Sequence, residues 1–403
     1  MQKKLQSNIW KYTLLLIANK RIFVAILGAY YLTIPDVTPK IIGVILLAGS
    51  ISGFIFEIPS GYASDKIGHK YALIISRVLM LLSTIFFLVA DDIIFLILGA
   101  IFLSMSSAFH SGTGSAFMHE TLRGLNREKD YTKVMGKISS IGFAVPIIFM
   151  VLIPFLVGVS YKTPFLIALV VDLVGLLAAI SLVIPPVPQE HIKEIGATNF
   201  KQVVKEGYHL NYFSIALFSG IISGTLFSIG GFRAPYQILL EIPVIWYGVF
   251  FGIGRAFASL ILAYSGKIKK YVTLLSFYKF QFIVYTFLIL ILGITSTWWI
   301  VVLTFIVINA FQWGLNKVDE GYQLDIIKSS NFKATLLSTG SQIDQIVAAI
   351  SSFGVGFMIE KVSYQYGFLY LGVILFLVLF PLYLYIARRY RAGVYKNTGV
   401  VED

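Results

Sequence analysis

Ionisable side chains interrupt several long apolar stretches of this sequence, and they are its main candidates for chemistry. A carboxylate held away from water can take up and release a proton, and Asp344 and Asp172 are the preferred candidates for such proton carriers. Glu57 is a better candidate for a structural role, because it belongs to the polar end of its segment. The complete set of such groups is Asp344, Asp172, Glu57, His110, Arg77, Arg255, Lys279 and Arg21. Each could instead belong to an ion pair that only holds neighbouring segments together.

The positions of these groups predict two clusters. A helix rises about 1.5 Å per residue, and on that scale most of the groups fall in one layer between one surface and the centre of a membrane, with Asp172 nearer the centre. The expected clusters are Glu57, Arg77 and His110 with Arg21 as an optional fourth member, and Asp344, Arg255 and Lys279. Because the basic groups outnumber the acidic ones, they favour a cavity that accepts an anionic or zwitterionic ligand.

A stripe of polar side chains marks a further candidate surface. Asn309, Gln312, Trp313 and Asn316 recur at intervals of three and four residues, so they share one face of a helix. Such a face within an apolar helix is better explained by a cavity than by contact with lipid. Gln237 is a second candidate for lining the same cavity. The aromatic content of 15% favours an apolar or amphipathic ligand surface.

The composition indicates where these groups must lie. The chain has 403 residues, of which 57% are hydrophobic and only 13% are charged, whereas a soluble protein carries about 25% charged residues. At about 20 residues per span, the sequence predicts an all-α membrane protein with twelve transmembrane helices. They are expected at 12–34, 40–63, 71–90, 93–118, 135–159, 164–185, 209–232, 243–265, 271–293, 297–317, 334–359 and 365–387. The absence of cysteine excludes disulfides and thiolate metal ligands.

Lysine and arginine residues set the expected orientation. They concentrate in the polar segments on one side of the predicted spans, the side that includes both termini. The positive-inside rule makes that side cytoplasmic, so the net charge of +12 indicates contact with anionic lipid rather than with nucleic acid. The longest polar interval, 186–208, is expected to be a cytoplasmic central linker. It separates a six-helix bundle at 1–185 from a second six-helix bundle with a cytoplasmic tail at 209–403, as an internal duplication would.

One polar segment carries a family motif. The sequence GYASDKIGHK, residues 61–70, resembles the cytoplasmic signature of the major facilitator superfamily, and it follows the second predicted span as it does in that family. The preceding EIPSG, residues 57–61, is similar to the lead-in found in many bacterial members. Residues 334–338 resemble the start of the eleventh span in the same family. The sequence is therefore similar to a bacterial, drug-efflux-like subgroup of this superfamily.

The resemblance implies two pseudo-symmetric six-helix bundles and a secondary active transporter that works by alternating access. It also implies that the motif is a conformational latch, which holds the outward-facing state and releases when the protein opens inward. The latch residues would be Gly61, Asp65, Lys66, Gly68, His69 and Lys70. From the residues alone, Asp65 could accept hydrogen bonds at a helix end, while Gly61 and Gly68 permit close helix approach and a tight turn. An ordinary positively charged loop is the alternative.

The favoured function is proton-coupled efflux of amphipathic small molecules or drugs by an antiporter in the plasma or inner membrane. A proton-coupled carrier of small organic anions or sugars is the alternative. The expected partners are a small-molecule substrate, protons and membrane lipid, with no cofactor, no metal and no nucleic acid, and with a monomer as the functional unit. An intramembrane enzyme is the alternative from another class. No enzyme is expected, because the motif that begins at His119-Glu120 has Arg123 in place of the second zinc-binding histidine.

Overall fold

The protein is all-helical over the part of the chain that the computed structural model describes, residues 2–186, 200–327 and 333–395. The helices of the first half are α1 (Gln2–Gln6), α2 (Asn8–Ala18), α3 (Leu27–Tyr31), α4 (Pro39–Ile67), α5 (His69–Val89), α6 (Ile93–His110), α7 (Thr113–Gly124), α8 (Tyr131–Leu152) and α9 (Thr163–Ile180), with short 3-10 helices at Glu128–Asp130 and Ile153–Gly158. The helices of the second half are α10 (Phe200–His209), α11 (Tyr212–Leu239), α12 (Ile245–Ala263), α13 (Ser265–Tyr271), α14 (Leu274–Ile294), α15 (Trp298–Gly314), α16 (Asn316–Ile326), α17 (Lys333–Lys361) and α18 (Tyr364–Arg391).

Within the described ranges, eleven helical segments are long and apolar enough to cross a membrane. They correspond to the second to twelfth predicted spans, and the all-α, multi-pass prediction is confirmed. Some segments extend beyond their predicted limits. The tenth segment exceeds its predicted limits by the most residues, because α15 and α16 together form one apolar segment at Trp298–Ile326.

The first predicted span, 12–34, is not covered by any described helix long and apolar enough to cross a membrane. α2 ends at Ala18, and the chain then turns before α3 begins. Arg21 Nη2 donates a hydrogen bond to the Ala18 carbonyl oxygen at 3.1 Å, and the Asn19 side chain accepts one from Arg77. Polar groups at a helix end inside hydrocarbon need partners from the protein, because no water is there to supply them. The helix therefore ends at the polar residues Asn19, Lys20 and Arg21, and Arg21 satisfies a carbonyl oxygen of its last residue.

The chain divides into two compact units. The described residues of 1–36, 48–197 and 244–248 form the first unit, and those of 37–47, 198–243 and 249–403 form the second. In the first unit, α5 packs against α6 and α9, and α2 packs against α8 and α9. In the second unit, α11 packs against α17, and α14 packs against α18. Many large apolar side chains on these helices stay exposed, as surfaces that contact lipid require.

The predicted linker is described only in part. Residues 187–199 lie outside the described ranges, as do residues 396–403 of the predicted tail. Most of α10 falls within the linker that was expected at 186–208, and the buried Val203 of this helix packs in a core with Tyr212 and Leu336. The division into bundles at 1–185 and 209–403 stays a prediction.

The start of α4 belongs to the second unit because it packs closely against α17. A Cβ atom at Gly43 would lie 2.6 Å from a backbone carbonyl oxygen of α17, and one at Gly356 would lie 2.6 Å from the Pro39 carbonyl oxygen. The two glycines therefore permit a separation that larger residues would prevent. The Glu360 carboxylate accepts a hydrogen bond from the Lys40 backbone N–H at 3.1 Å, which satisfies one donor at the start of α4.

The Gly356→Ala variant should lose about 1–3 kcal/mol of stability, because its new methyl group would meet the Pro39 backbone. Gly354 is the matched control, since it lies on the same helix and a Cβ there would meet no atom within 4 Å. The Gly354→Ala variant should be neutral, or more stable by up to about 1 kcal/mol, because alanine is the better helix former. Thermal unfolding in detergent measures both, and equal stability would contradict the close contact.

Candidate functional site

Asp344 lies close to α11 because two glycines of that helix face it. A Cβ at Gly224 would lie 2.6 Å from the Asp344 backbone oxygen, and a Cβ at Gly220 would lie 3.0 Å from Asp344 Oδ1. Two small residues four positions apart let transmembrane helices approach at short distance. The Asp344 carboxylate of α17 consequently meets α11, where it accepts a hydrogen bond from the Ser223 hydroxyl.

Asp319 on α16 lies among polar donors. Its carboxylate accepts hydrogen bonds from the Tyr278 hydroxyl at 2.8 Å, the Ser219 hydroxyl at 2.9 Å and the Gln323 side-chain amide at 2.9 Å. The donors come from three helices, α14, α11 and α16, so the carboxylate joins all of them. Tyr278 is fully buried, and its position fixes one side of the site.

Asp319 and Asp344 face the same part of α11, and we call them the carboxylate pair. Ser219 and Ser223 stand one helical turn apart and therefore share a face, which brings the two carboxylates within range of direct electrostatic repulsion. Both carboxylates are half-buried, and none of the ion pairs formed by the described residues includes either of them. Repulsion between two carboxylates favours protonation of one of them, because a proton removes one of the two charges.

A second path of hydrogen bonds runs beside the pair. The Gln323 side chain donates to Asp319 and accepts a hydrogen bond from the Tyr212 hydroxyl at 3.1 Å. Tyr212 is near enough to both Asp319 and Asp344 to interact with their charges. The pair is thus surrounded by hydroxyl and amide groups, which can adjust to either protonation state of a carboxylate.

The sequence pointed to Asp344 but not to Asp319. The tenth span was expected to end before Asp319, which therefore fell in the following polar segment. The sequence Gly220-Ile-Ile-Ser-Gly224 is a signal that could have indicated the close packing at the site. No pattern in the sequence indicated that Tyr278 would be a donor, since it stands in a different helix and looks like any buried aromatic residue.

Asp172, the other predicted proton carrier, lies in the first unit and forms a buried ion pair. Arg21 Nη2 is 2.5 Å from Asp172 Oδ1, and Arg21 Nη1 is 3.0 Å from Oδ2. The Thr84 hydroxyl donates to the same carboxylate. Asp172 is only 1% exposed. The two-pronged contact with Arg21 joins α9 to the chain after α2, and the Thr84 hydrogen bond joins α9 to α5, both away from solvent.

The other groups of the first expected cluster have separate partners. Arg77 is fully buried and donates to the Asn19 side chain. His110 stacks on Tyr12, with ring centroids 6.4 Å apart. Glu57 accepts a hydrogen bond from a serine hydroxyl of the chain after α6 at 3.4 Å. Arg77 also lies within electrostatic range of Arg21 and of His110, so these three groups form part of the expected cluster. The described contacts of Glu57 involve none of them.

The second expected cluster is also divided. Asp344 belongs to the carboxylate pair, whereas Lys279 is exposed on α14. Arg255 stacks on two rings, with its guanidinium carbon 3.9 Å from the centroid of Trp313 and 4.9 Å from that of Phe251. The prediction that these three charges converge was wrong, since each is directed by the register of its own helix.

The predicted cavity residues differ in exposure. Asn309 and Gln237 are buried, Gln312 and Trp313 are half-buried, and Asn316 is exposed. Asn309 donates to a backbone carbonyl oxygen of α12 at 3.3 Å, so its amide contributes to helix packing. Asn316 is the first residue of α16, and one residue separates it from the last residue of α15. A cavity-lining role for these residues stays a prediction.

The predicted latch forms the turn between α4 and α5. Gly68 has a φ of 94°, which glycine adopts without strain and other residues rarely do. His69 Nδ1 is 2.8 Å from Ser64 Oγ, and His69 Nε2 is 3.3 Å from Glu120 Oε1. This imidazole therefore connects the end of α4 to α7, a contact that the motif did not predict.

The remaining latch residues show fewer contacts. Gly61, Asp65 and Lys66 are exposed, and Lys70 is half-buried. No atom of the described residues lies within 4 Å of a Cβ placed at Gly61, so the close helix approach expected there is not seen among them. The latch function itself stays a prediction.

Repeated apolar helices that hold ionisable groups at membrane depth define a polytopic membrane protein. The comparisons narrow this class. Residues 11–316 match the sequence profile of the Major Facilitator Superfamily, and the protein belongs to that superfamily. It is accordingly a secondary transporter and not an enzyme. No curated protein sequence matches the chain significantly.

Solved structures support the same fold. The chain is similar to the nucleoside transporter NupG, with a TM-score of 0.71, 12% identity, and coverage of 94% of this chain and 99% of that one. It is similar to a POT family transporter in complex with a thioalcohol-conjugated peptide, with a TM-score of 0.71, 13% identity and 96% coverage of both chains. It is also similar to a D-xylose–proton symporter, with a TM-score of 0.65, 14% identity, and coverage of 94% and 96%. At such identities the likeness shows the fold alone.

Removing one partner of the Arg21–Asp172 pair should destabilise the protein. The Arg21→Met variant should lose about 3–5 kcal/mol of stability, because it leaves the Asp172 carboxylate buried without its charged partner. The double variant Arg21→Met with Asp172→Leu should recover most of this loss, because both charges are gone. Denaturant unfolding of the single and double variants in detergent tests the coupling.

The exposed pair of Arg123 and Glu128, at 2.5 Å, provides the control for this cycle. Its Arg123→Gln variant should lose about 1 kcal/mol or less, since exposed pairs are screened by solvent. If the double variant in the buried pair is as unstable as Arg21→Met alone, the pair is not what stabilises this part of the first unit.

Proposed function

We propose that the protein is a proton-coupled exporter of amphipathic small molecules, and that the carboxylate pair carries the proton. The observation that carries this proposal is the meeting of Asp319 and Asp344 at one face of α11 among neutral donors. A proton carrier must be stable in two protonation states. Hydroxyl and amide groups can donate to an ionised carboxylate or rearrange around a protonated one, whereas a fixed positive partner would favour the ionised form alone.

The residues of the pair have distinct parts in this proposal. Asp344 exchanges the proton, because it has a single described hydrogen-bond partner, the Ser223 hydroxyl. Asp319 is held by Tyr278, Ser219 and Gln323, and its negative charge favours proton uptake at Asp344. Release of that proton restores the repulsion between the two carboxylates. This repulsion gives the second unit two electrostatic states that can be coupled to alternating access.

Asp172 is the less favoured carrier. Its two contacts with Arg21 and its hydrogen bond from Thr84 oppose protonation, because the added proton would break a buried ion pair. We therefore assign Asp172 a structural role and Asp344 the coupling role. Proton release should therefore require Asp344 but not Asp172.

Amphipathic substrates are supported by the aromatic content of 15%, and export is supported by the resemblance of the sequence to a bacterial, drug-efflux-like subgroup. The alternative is a carrier that moves small organic anions or sugars together with protons. The presence of a D-xylose–proton symporter among the similar structures keeps this alternative open. The two functions differ in the direction of substrate movement relative to the proton gradient.

We place the protein in a bacterial inner membrane with both termini cytoplasmic, because its polar segments with most lysines and arginines lie on one side of the spans. In this orientation, residues 61–70 lie at the cytoplasmic surface, where the latch would act. The functional unit proposed is a monomer in contact with anionic lipid, without a cofactor.

Substrate-dependent proton release tests the coupling site. The purified protein should release protons when an amphipathic substrate is added in weakly buffered detergent solution. The Asp344→Asn variant should abolish this release, and Asp319→Asn should reduce it at least about tenfold, because each leaves a single carboxylate without its repulsive partner. Asp172→Asn should retain release in whatever fraction of the protein stays folded.

Asp325 provides the matched control for this experiment. It stands on α16 with Asp319 but forms a partly exposed ion pair with Lys269 at 2.9 Å. Asp325→Asn should release protons like the wild-type protein. Undiminished release from Asp344→Asn, or equal loss from Asp325→Asn, would refute the assignment of the carboxylate pair.

Transport in proteoliposomes tests the direction. If the protein exports substrate in exchange for protons, a proton gradient that is acidic on the external side should drive substrate out against its own concentration gradient. The measured quantity is substrate flux with and without the proton gradient, and an ionophore that collapses the gradient is the control. Substrate movement in the same direction as protons would overturn export and favour the anion or sugar carrier.

A further inference from the structure

Two arginines of the second unit converge on one aromatic ring. The guanidinium carbon of Arg233 lies 4.4 Å from the centroid of Phe251, and that of Arg255 lies 4.9 Å from the same centroid. Arg255 also lies 3.9 Å from the centroid of Trp313. The four residues come from α11, α12 and α15, and we call them the arginine–aromatic cluster.

The seventh predicted span ends at residue 232, which places Arg233 just outside the membrane. The structure extends α11 to Leu239 with Pro235 inside the helix, so Arg233 is a residue of the helix rather than of the following loop. This extension is what brings a second arginine to Phe251. The sequence therefore indicated one arginine at this site, and the structure assembles two.

The charges of the cluster have the same sign. Arg233 and Arg255 are close enough to repel each other, although the rings beneath them provide favourable cation–π contacts. An anion that binds beside both guanidinium groups would replace this repulsion with attraction. Carboxylates and other oxyanions match the planar donor arrangement of arginine better than spherical ions do.

The cluster is partly exposed, and its helices are joined by a hydrogen bond. Arg233, Arg255 and Trp313 are half-buried, whereas Phe251 is buried. Asn309 of α15 donates to the Phe251 carbonyl oxygen at 3.3 Å, which holds α12 and α15 together at the level of the cluster. The half-buried ring of Trp313 offers a flat apolar surface next to the positive groups.

We infer that the substrate of this transporter joins a carboxylate or similar oxyanion to a flat apolar ring system, and that the arginine–aromatic cluster recognises it. The guanidinium groups of Arg233 and Arg255 bind the anion, and Phe251 and Trp313 contact the ring system. This inference rests on the proposed function, because it names the substrate class of the same transporter. Such a substrate is amphipathic, as the proposed export requires.

A pair of matched probes tests the inference on the full-length protein in detergent. 2-Naphthoate has the anion and the flat ring, and 2-naphthamide has the same ring without the charge. 2-Naphthoate should raise the unfolding temperature and quench tryptophan fluorescence, with an affinity at least about tenfold higher than that of 2-naphthamide. Equal binding of the two probes, or no binding of 2-naphthoate, would overturn the inference.

Variants locate the binding site. Arg255→Gln and Arg233→Gln should each weaken 2-naphthoate binding about tenfold or more and leave 2-naphthamide binding nearly unchanged, which shows that the variants are folded. Arg255→Lys should be intermediate, because lysine keeps the charge but not the two-pronged geometry. Lys279→Gln is the control, since it removes an exposed positive charge from a transmembrane helix outside the cluster. An equal loss from Lys279→Gln would show that general charge, and not the cluster, governs binding.

The Asp344→Asn variant separates this inference from the proposed function. It should still bind 2-naphthoate more tightly than 2-naphthamide, because both arginines are intact, while it fails to release protons. If 2-naphthoate binding depends on the arginines but proton release does not depend on Asp344, the recognition site stands and the proton-coupling assignment fails. If proton release depends on Asp344 but the two naphthalene probes bind alike, the coupling stands and the substrate class is wrong.

Discussion

Hydrocarbon offers a charged side chain neither hydration nor counterions, so every ionised group in the spans of this protein must obtain its interactions from the protein itself. The structure meets this requirement in three different ways. Arg21 and Asp172 neutralise each other in a buried ion pair. Asp319 is surrounded by neutral hydrogen-bond donors, and Arg255 lies against aromatic rings. The first arrangement favours one fixed charge state, whereas neutral donors can adapt to either protonation state of Asp319.

Close helix packing creates the sites where these charges meet. Gly220 and Gly224 bring α17 so near to α11 that Asp344 can reach a hydroxyl of the neighbouring helix. In the same unit, Gly43 and Gly356 bring the start of α4 against α17. Small residues therefore do more than permit packing, since the short separation decides which polar groups can interact. A modest shift of α17 against α11 would change the surroundings of Asp344 directly.

The two units use their charges for different purposes. In the first unit, Arg21, Arg77 and Asn19 satisfy the end of α2 and hold the interrupted first span in place. In the second unit, the carboxylate pair and the two arginines of the arginine–aromatic cluster are half-buried, and each group brings together charges of the same sign. A transporter needs both kinds of region, because one must keep its shape while the other responds to protons and substrate.

The membrane class, the approximate limits of most spans, the superfamily motif at residues 61–70 and an acidic group at Asp344 within a span could all be predicted from the sequence, because each depends on composition or on local spacing. The sequence did not determine that Asp319 would join Asp344, that Asp172 would pair with Arg21, or that Arg233 would lie inside α11. Those contacts depend on the faces that distant helices turn toward each other and on separations set by glycines such as Gly224. Depth along a helix can be counted from the sequence, but the direction of a side chain relative to a helix far away along the chain is decided only when the helices pack.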